Sequence, residues 1–188
     1  MVVGREEIVA AAVDHLNRAP AASMAEIAQA AGVSRGTLHR HFSTREELIV
    51  ELGWRCHAAW RRVHEDCGLD AALRGGERLA ETLEALVVAS IDAVEAHGFA
   101  LTEHLVGVEP ELLRSTEALV DREVALIEAC QRAGILRADL PARWIENTLY
   151  GLLVAVRESL HAGDVARRDL PRLLLETFLE GTSVKETS

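Results

Sequence analysis

Residues 23–48, SMAEIAQAAGVSRGTLHRHFSTREEL, leave the chain little conformational freedom, because two short helical patterns meet across Ala31-Gly32-Val33-Ser34. Over residues 25–31, Ile27, Ala28 and Ala31 share one face with Met24 at helical spacing. Gly32 then offers the left-handed conformation that ends a helix without a side-chain clash. Val33 is expected to point inward and Ser34 to cap a second helix over about residues 34–42. In that helix Leu38 and Phe42, four apart, form one stripe against Ile27 and Val33. Arg35, Gly36, Thr37, His39, Arg40 and His41 are left facing out.

These outward residues are of the types that grip and read a duplex. Arginine takes guanine bidentately, threonine touches a thymine methyl or a phosphate, and glycine permits close backbone approach. None of them is acidic. Ser23 with Glu26, and Thr44 with Glu47, have capping-box spacing, which starts one helix before the turn and another behind the second helix. Arg45 falls in the first turn of that last helix, where the helix dipole disfavours a cation, so a phosphate is the partner expected for it.

The run Ile27-Ala28-x-x-Ala31-Gly32-Val33-Ser34-x-Gly36-Thr37-Leu38-x-x-x-Phe42-x-x-Arg45-Glu46-x-Leu48 resembles the N-terminal DNA-binding region of the TetR family of bacterial transcription regulators. At the level of motifs the resemblance spans about residues 8–52, where Ile8-Val9-x-Ala11-Ala12 is similar to the family's first helix. The resemblance implies an all-α homodimer whose paired recognition helices bind a palindromic operator, released by a small effector in the C-terminal domain. It also puts Arg35, Gly36 and Thr37 at the base-contacting start of the recognition helix, His39 and His41 near phosphates, and Arg45 on a phosphate, with Ser34 and Arg40 completing the expected DNA-binding set. Where the family usually has tyrosine this chain has His39, which donates a hydrogen bond with a different reach.

Charge at first argues against such a reader, since the chain carries a net −10 with a pI near 5.3. Divided by region, much of the conflict goes. Residues 1–50 hold five arginines against six acids, so about −9 lies beyond them, where charges more than a Debye length of roughly 8 to 10 Å from the duplex are screened. Residues 1–4 carry no basic arm for the minor groove, so few phosphate contacts and a modest salt slope are expected. No apolar run reaches the roughly 18 residues of a membrane span and no secretory leader opens the sequence, so the expected location is cytoplasmic, without membrane contact. Cys56, Cys67 and Cys130 are far apart and odd in number, which suggests neither a disulfide framework nor a zinc site, only buried reduced thiols.

Beyond residue 52 the pattern stays helical. One helix is expected from Arg45 to about Asp66, linking the DNA-reading part to the rest. A second carries the stripe Leu79, Leu83, Leu86, Val87, Ser90, Ile91 and Val94 and stops at His97-Gly98. A short helix over residues 99–106 precedes a longer one from Pro110 to near Gly134. The last two begin at the repeated signals Asp139-Leu140-Pro141 and Asp169-Leu170-Pro171, read as repeated capping chemistry. Residues 147–156 bear no charge on any face, so that helix needs cover on all sides. Leu149, Leu152, Leu153 and Val156, with Leu174 and Phe178 of the final helix, are the expected interface of a twofold four-helix bundle, Gly151 permitting close approach.

The expected organisation is therefore an all-α chain with an N-terminal three-helix helix-turn-helix DNA-binding domain over residues 1–46 and a C-terminal helical effector-binding and dimerisation domain over residues 47–188. Its partners are double-stranded DNA with a palindromic operator, a second copy, and a small organic effector. Polar or aromatic candidates to line the effector pocket are His57, Trp60, His64, Ser90, His104, Asn147 and Tyr150, with Trp60 and His64 foremost. No metal or other cofactor is expected: His57 and His64 lie about 10.5 Å apart along a helix, too far to share one ion. Nor is a catalytic residue expected, since Gly75-Gly76 lacks the lysine and spacing of a phosphate loop and no nucleophile-base pair stands out. A nonspecific architectural DNA binder would need a more basic surface. The function expected is a sequence-specific transcriptional repressor responsive to a ligand.

Overall fold

The computed structural model describes residues 3–101 and 109–184. Nine α-helices run in order among them: α1 (Arg5–Arg18), α2 (Met24–Ala30), α3 (Arg35–His41), α4 (Arg45–Asp66), α5 (Leu69–Gly75), α6 (Leu79–His97), α7 (Pro110–Arg132), α8 (Ala142–Ala162) and α9 (Leu170–Thr182). The only extended pairing among the described residues is a bridge between Leu136 and Ser183. The chain forms two compact units, one of residues 1–58 with 96–115, the other of residues 59–95 with 116–188.

In the first unit α1, α2, α3 and the start of α4 close around Ile8, Leu16, Ile27, Leu38, Phe42, Leu48 and Leu52, all with no exposure. Each such side chain contributes roughly 1.5–3 kcal/mol through apolar burial. Phe99 joins this core from the other end of the sequence segment. Asn17 fixes that return, donating to the Ala96 carbonyl at 2.8 Å and accepting from the Phe99 amide at 3.0 Å. A second tie joins α1 to α4: Arg55 bonds Glu6 (2.8 Å) and Glu51 (3.1 Å), and hydrogen bonding from Arg55 holds the Glu6 carboxyl below its ordinary range. Arg5 pairs with Glu51 and lies over the Phe42 ring, 4.6 Å from its centre.

In the second unit the whole expected stripe of α6, from Leu79 to Val94, is buried. Cys130 packs beside it, and burial pushes its thiol up to about 11, leaving an unreactive group. The helix α5 had no clear sequence signal; it sits between two left-handed glycines, Gly68 (φ 73°) and Gly76 (φ 68°). The repeated Asp-Leu-Pro signals work differently from expectation. Asp139 pairs with Arg137 (2.5 Å) and Pro141 occupies the cap of α8, while Asp169 adopts a helical conformation and makes no cap hydrogen bond. Proline's fixed φ starts both helices, so the aspartates are free for other roles.

The expected dimer residues also require correction. Leu149, Leu153, Val156, Leu174 and Phe178 are buried within the chain itself, because α8 packs on α9 through that face; only Leu152 is partly exposed. The outward face consists instead of Trp144, Asn147, Tyr150, Gly151 and Ala155 on α8 and Leu173, Thr177 and Gly181 on α9. The uncharged stretch 147–156 of α8 has no polar stripe to mark its outside, which is why the sequence pattern left the two faces interchangeable.

Candidate nucleic-acid interface

The helix pair α2 and α3 is shaped by short-range chemistry. Ser23 and Glu26 exchange bonds, Ser23 N–H to Glu26 at 2.8 Å and Glu26 N–H to Ser23 Oγ at 3.4 Å, and these bonds hold the Glu26 carboxyl below its usual range. At the other end Gly32 adopts φ 66°, and the Gly32 and Val33 amides return to the Gln29 and Ala28 carbonyls at 3.0 Å. Val33 packs partly against the core, as its position in the turn required. Ser34 then caps α3 by accepting from the Thr37 amide at 3.0 Å.

The outer surface of α3 carries Arg35, Gly36, His39 and Arg40 fully out, with Ser34 just ahead and Thr37 and His41 half-buried. These side chains form two local relays. Arg40 donates to Thr37 Oγ1 (3.2 Å), which is 2.9 Å from Ser34 Oγ. His39 Nδ1 lies 3.2 Å from the Ser43 carbonyl, which only accepts, so Nδ1 carries the proton and Nε2 accepts from Arg35 Nε at 3.4 Å. Both relays are solvent-exposed and weak, so a base or phosphate can replace them at small cost. The first turn of α3 contains no acid.

Arg45 is placed otherwise than its sequence position suggested. It is half-buried and donates to the Pro20 (2.9 Å) and Ala22 (3.3 Å) carbonyls, a tie that accounts for a cation in the first turn of α4. Thr44 does cap α4, accepting from the Glu47 amide at 3.1 Å. The Glu47 carboxylate, however, takes the Ser43 amide at 2.7 Å in place of that of Thr44.

The residues 8–52 match the family model of bacterial regulatory proteins, tetR family. Over 164 residues the chain is 30% identical to the HTH-type transcriptional repressor LfrR of Mycolicibacterium smegmatis, a match covering 85% of this chain and 80% of LfrR. The chain belongs to the TetR family. As a TetR-family protein it is a DNA-binding transcriptional regulator, with the all-α helix-turn-helix architecture of the group. The fold of this TetR regulator is shared with LfrR of Mycobacterium smegmatis solved in complex with proflavine, at TM-score 0.71 and 23% identity over 97% of each chain. It is shared equally with the ketosteroid regulator KstR2 of Mycobacterium tuberculosis, at TM-score 0.72 and 19% identity over 98% of each chain.

The expected effector residues of this TetR regulator do not converge as a group. His57 belongs to the first unit and meets Trp54 edge to face, ring centres 5.6 Å apart. Trp60 is half-buried, Ser90 is buried with its hydroxyl donating to the Leu86 carbonyl at 2.8 Å, and Asn147 and Tyr150 lie on the exposed side of α8. His104 lies outside the described residues. His64 is wholly buried, and its Nε2 is 2.7 Å from Glu123 Oε1. Two residues the sequence reading passed over belong with it, Glu123 and the buried Glu146. A signal for Glu146 existed: it lies on the stripe Glu146, Leu149, Leu153, Val156. Glu123, in Asp121-Arg122-Glu123, reads as a solvated charge run and offered none. Among the described residues no His, Cys, Asp or Glu group has metal-site geometry, and no helix is long and apolar enough to cross a membrane.

Proposed function

We propose that the protein is a dimeric repressor that reads a palindromic operator through Arg35, Gly36 and Thr37, with Ser34, His39, Arg40 and His41 at flanking backbone contacts, and that a small organic effector releases it. The chain acts by binding, without turnover. The observation that carries this reading is α3 itself: seven residues whose apolar side is locked into a core while its acid-free outer side holds only weak, replaceable bonds. The naming of LfrR as a repressor, and its complex with proflavine, support repression and a small-molecule ligand for this chain. Arg45 orders the α2 entrance through Pro20 and Ala22, and its contribution to DNA affinity comes through that ordering.

Two copies pair through the outward face of α8 and α9, where Trp144 is 61% and Leu173 36% exposed and Gly151 and Gly181 leave room for close approach. A Cβ at Gly151 meets nothing within 4 Å, so Gly151→Arg is compatible with the fold and blocks pairing. Sedimentation is expected to turn from dimer to monomer in this variant; a persistent dimer would move the interface elsewhere. Effector and operator affinities must oppose each other reciprocally, and α4, which starts at Arg45 and carries His64, provides a continuous helical element for that coupling. The deciding experiment is selection of bound duplexes from a random pool by the purified protein. Enrichment of a palindrome is expected, with half-sites one helical turn or a multiple apart; recovery without sequence preference would refute a specific operator.

A further inference from the structure

We propose that His39 is a positioning residue for base reading: it holds Arg35 by Nε, so that the two Nη groups of that guanidinium remain as the prongs that take guanine. This deepens the operator reading above and rests on it, refining one residue. His39 stands at the flank of the reading surface and acts there through Arg35.

The holding contact is anchored at its far end. Ser43 is fixed by its amide, which donates to the Glu47 carboxylate of α4 at 2.7 Å. Its carbonyl accepts from His39 Nδ1 at 3.2 Å, which sets the ring, and Nε2 then accepts from Arg35 Nε at 3.4 Å. Arg35 and His39 are four residues apart on α3, so their side chains meet on one face. The relay therefore runs from α4 through the loop to the first residue of the recognition helix.

The ring nitrogens decide what His39 can do. Its Nδ1–H is engaged by Ser43 and its Nε2 presents a lone pair, so no N–H is left for a phosphate oxygen. A lone pair does suit a guanidinium. Of the five N–H donors of an arginine the bond uses the one at Nε and leaves those of both Nη groups. These two groups form the end edge of the planar fork, which can take O6 and N7 of guanine together. Arg40 is held differently, through Nη2 to Thr37 Oγ1 at 3.2 Å. Arg35 is thus presented with its end edge whole, and Arg40 with one of its prongs in use.

An acceptor without negative charge is the kind this position calls for. A carboxylate four residues from Arg35 would hold it more strongly, but it would cancel the cation and repel the phosphates of an operator. The imidazole bond is weaker, and its effect is orientation. A long side chain that already presents its fork loses less freedom on binding than a loose one. Because the bond engages Nε alone, guanine can be taken with the relay intact.

The test follows base preference in the full-length protein. The palindrome selected by the parent supplies the duplex, and the position at which Arg35→Ala relaxes preference identifies the guanine. Competition between duplexes with guanine or adenine there, in one half-site, measures discrimination. His39→Leu lacks both ring nitrogens, and it is expected to lose about tenfold of that discrimination while affinity for random duplexes stays within about twofold of the parent. His39→Gln keeps an acceptor and is expected to discriminate within about threefold of the parent; thermal unfolding confirms that both variants are folded. In an Arg35→Ala background His39→Leu is expected to change nothing further at this position, since the two residues act as one. Equal weakening of operator and random DNA by His39→Leu would overturn the proposal in favour of a backbone contact. Unaltered discrimination in both variants, an equal loss in both, or the same loss with and without Arg35 would overturn it outright. A parent that selects no palindrome, or an Arg35→Ala protein that relaxes no position, is a different result: it removes the reading on which this proposal rests, and the proposal with it.

Discussion

The outer face of α3 and the interior group of His64, Glu123 and Glu146 are both polar, and they are held in opposite ways. On α3 every partner is three or four residues away, as in Ser34 with Thr37, Thr37 with Arg40, and Arg35 with His39. These bonds sit in water, so each is worth little and yields readily to a phosphate or a base edge. In the interior, His64 finds Glu123 from 59 residues away, and its buried Nδ1 has no hydrogen-bond partner. A reading surface keeps its side chains available by bonding them weakly; an interior pair is held by packing that excludes water.

The comparison is broken most forcefully by removing the support that both properties of α3 presuppose. Phe42→Ala empties the fully buried centre of the first unit and is expected to cost about 3–5 kcal/mol, measured by chemical denaturation, with loss of DNA binding as a consequence. Survival of operator binding near wild-type level would show that α3 holds its form without that core. Arg35→Ala should act only on the surface. A loss of about 1–3 kcal/mol in operator affinity is expected, with relaxed preference at one base position and an unchanged unfolding midpoint. An equal loss on operator and random DNA would demote Arg35 to a backbone contact.

Smaller effects sharpen the same contrast. Ser34→Ala removes the cap of α3 and an anchor of one relay, for which about 1 kcal/mol of stability is expected in urea titration. In the interior, Glu146→Gln is expected to change a slope more than a midpoint. With its native pKa raised, Glu146 holds its proton over a window in which the unfolded chain has already lost it, so stability falls as pH rises from the ordinary carboxylate range through the raised value. Glutamine carries no such proton, and urea midpoints should decline less in the variant than in the parent as pH rises above the ordinary carboxylate range. Parallel profiles would mean that the carboxyl is solvated.

The legibility of each feature follows its range along the chain. Gly32, Ser34 and the Leu38–Phe42 stripe were readable because a helix cap, a left-handed turn and an inward face are each decided within about five residues. The buried stripe of α6 was readable for the same reason. Arg45 was not. Its electrostatic oddity was visible, but the Pro20 and Ala22 carbonyls that resolve it lie more than twenty residues back, on backbone that advertises no acceptor in the sequence. The α8 and α9 assignments failed for another reason: uncharged residues on every side identify a helix in need of cover without saying which side its own chain covers.

From the order of residues alone came the helical class, the turn, the family resemblance and the set of side chains facing out from α3, all consequences of local backbone preference and periodic burial. Packing alone determined that Leu149, Leu153 and Val156 turn inward while Trp144 and Gly151 turn out, that Asn17 ties residues 96–99 to the first unit, and that His64 meets Glu123 near Glu146. Those choices depend on which distant surfaces exclude water from one another. Periodicity along one helix does not encode the address of its neighbour.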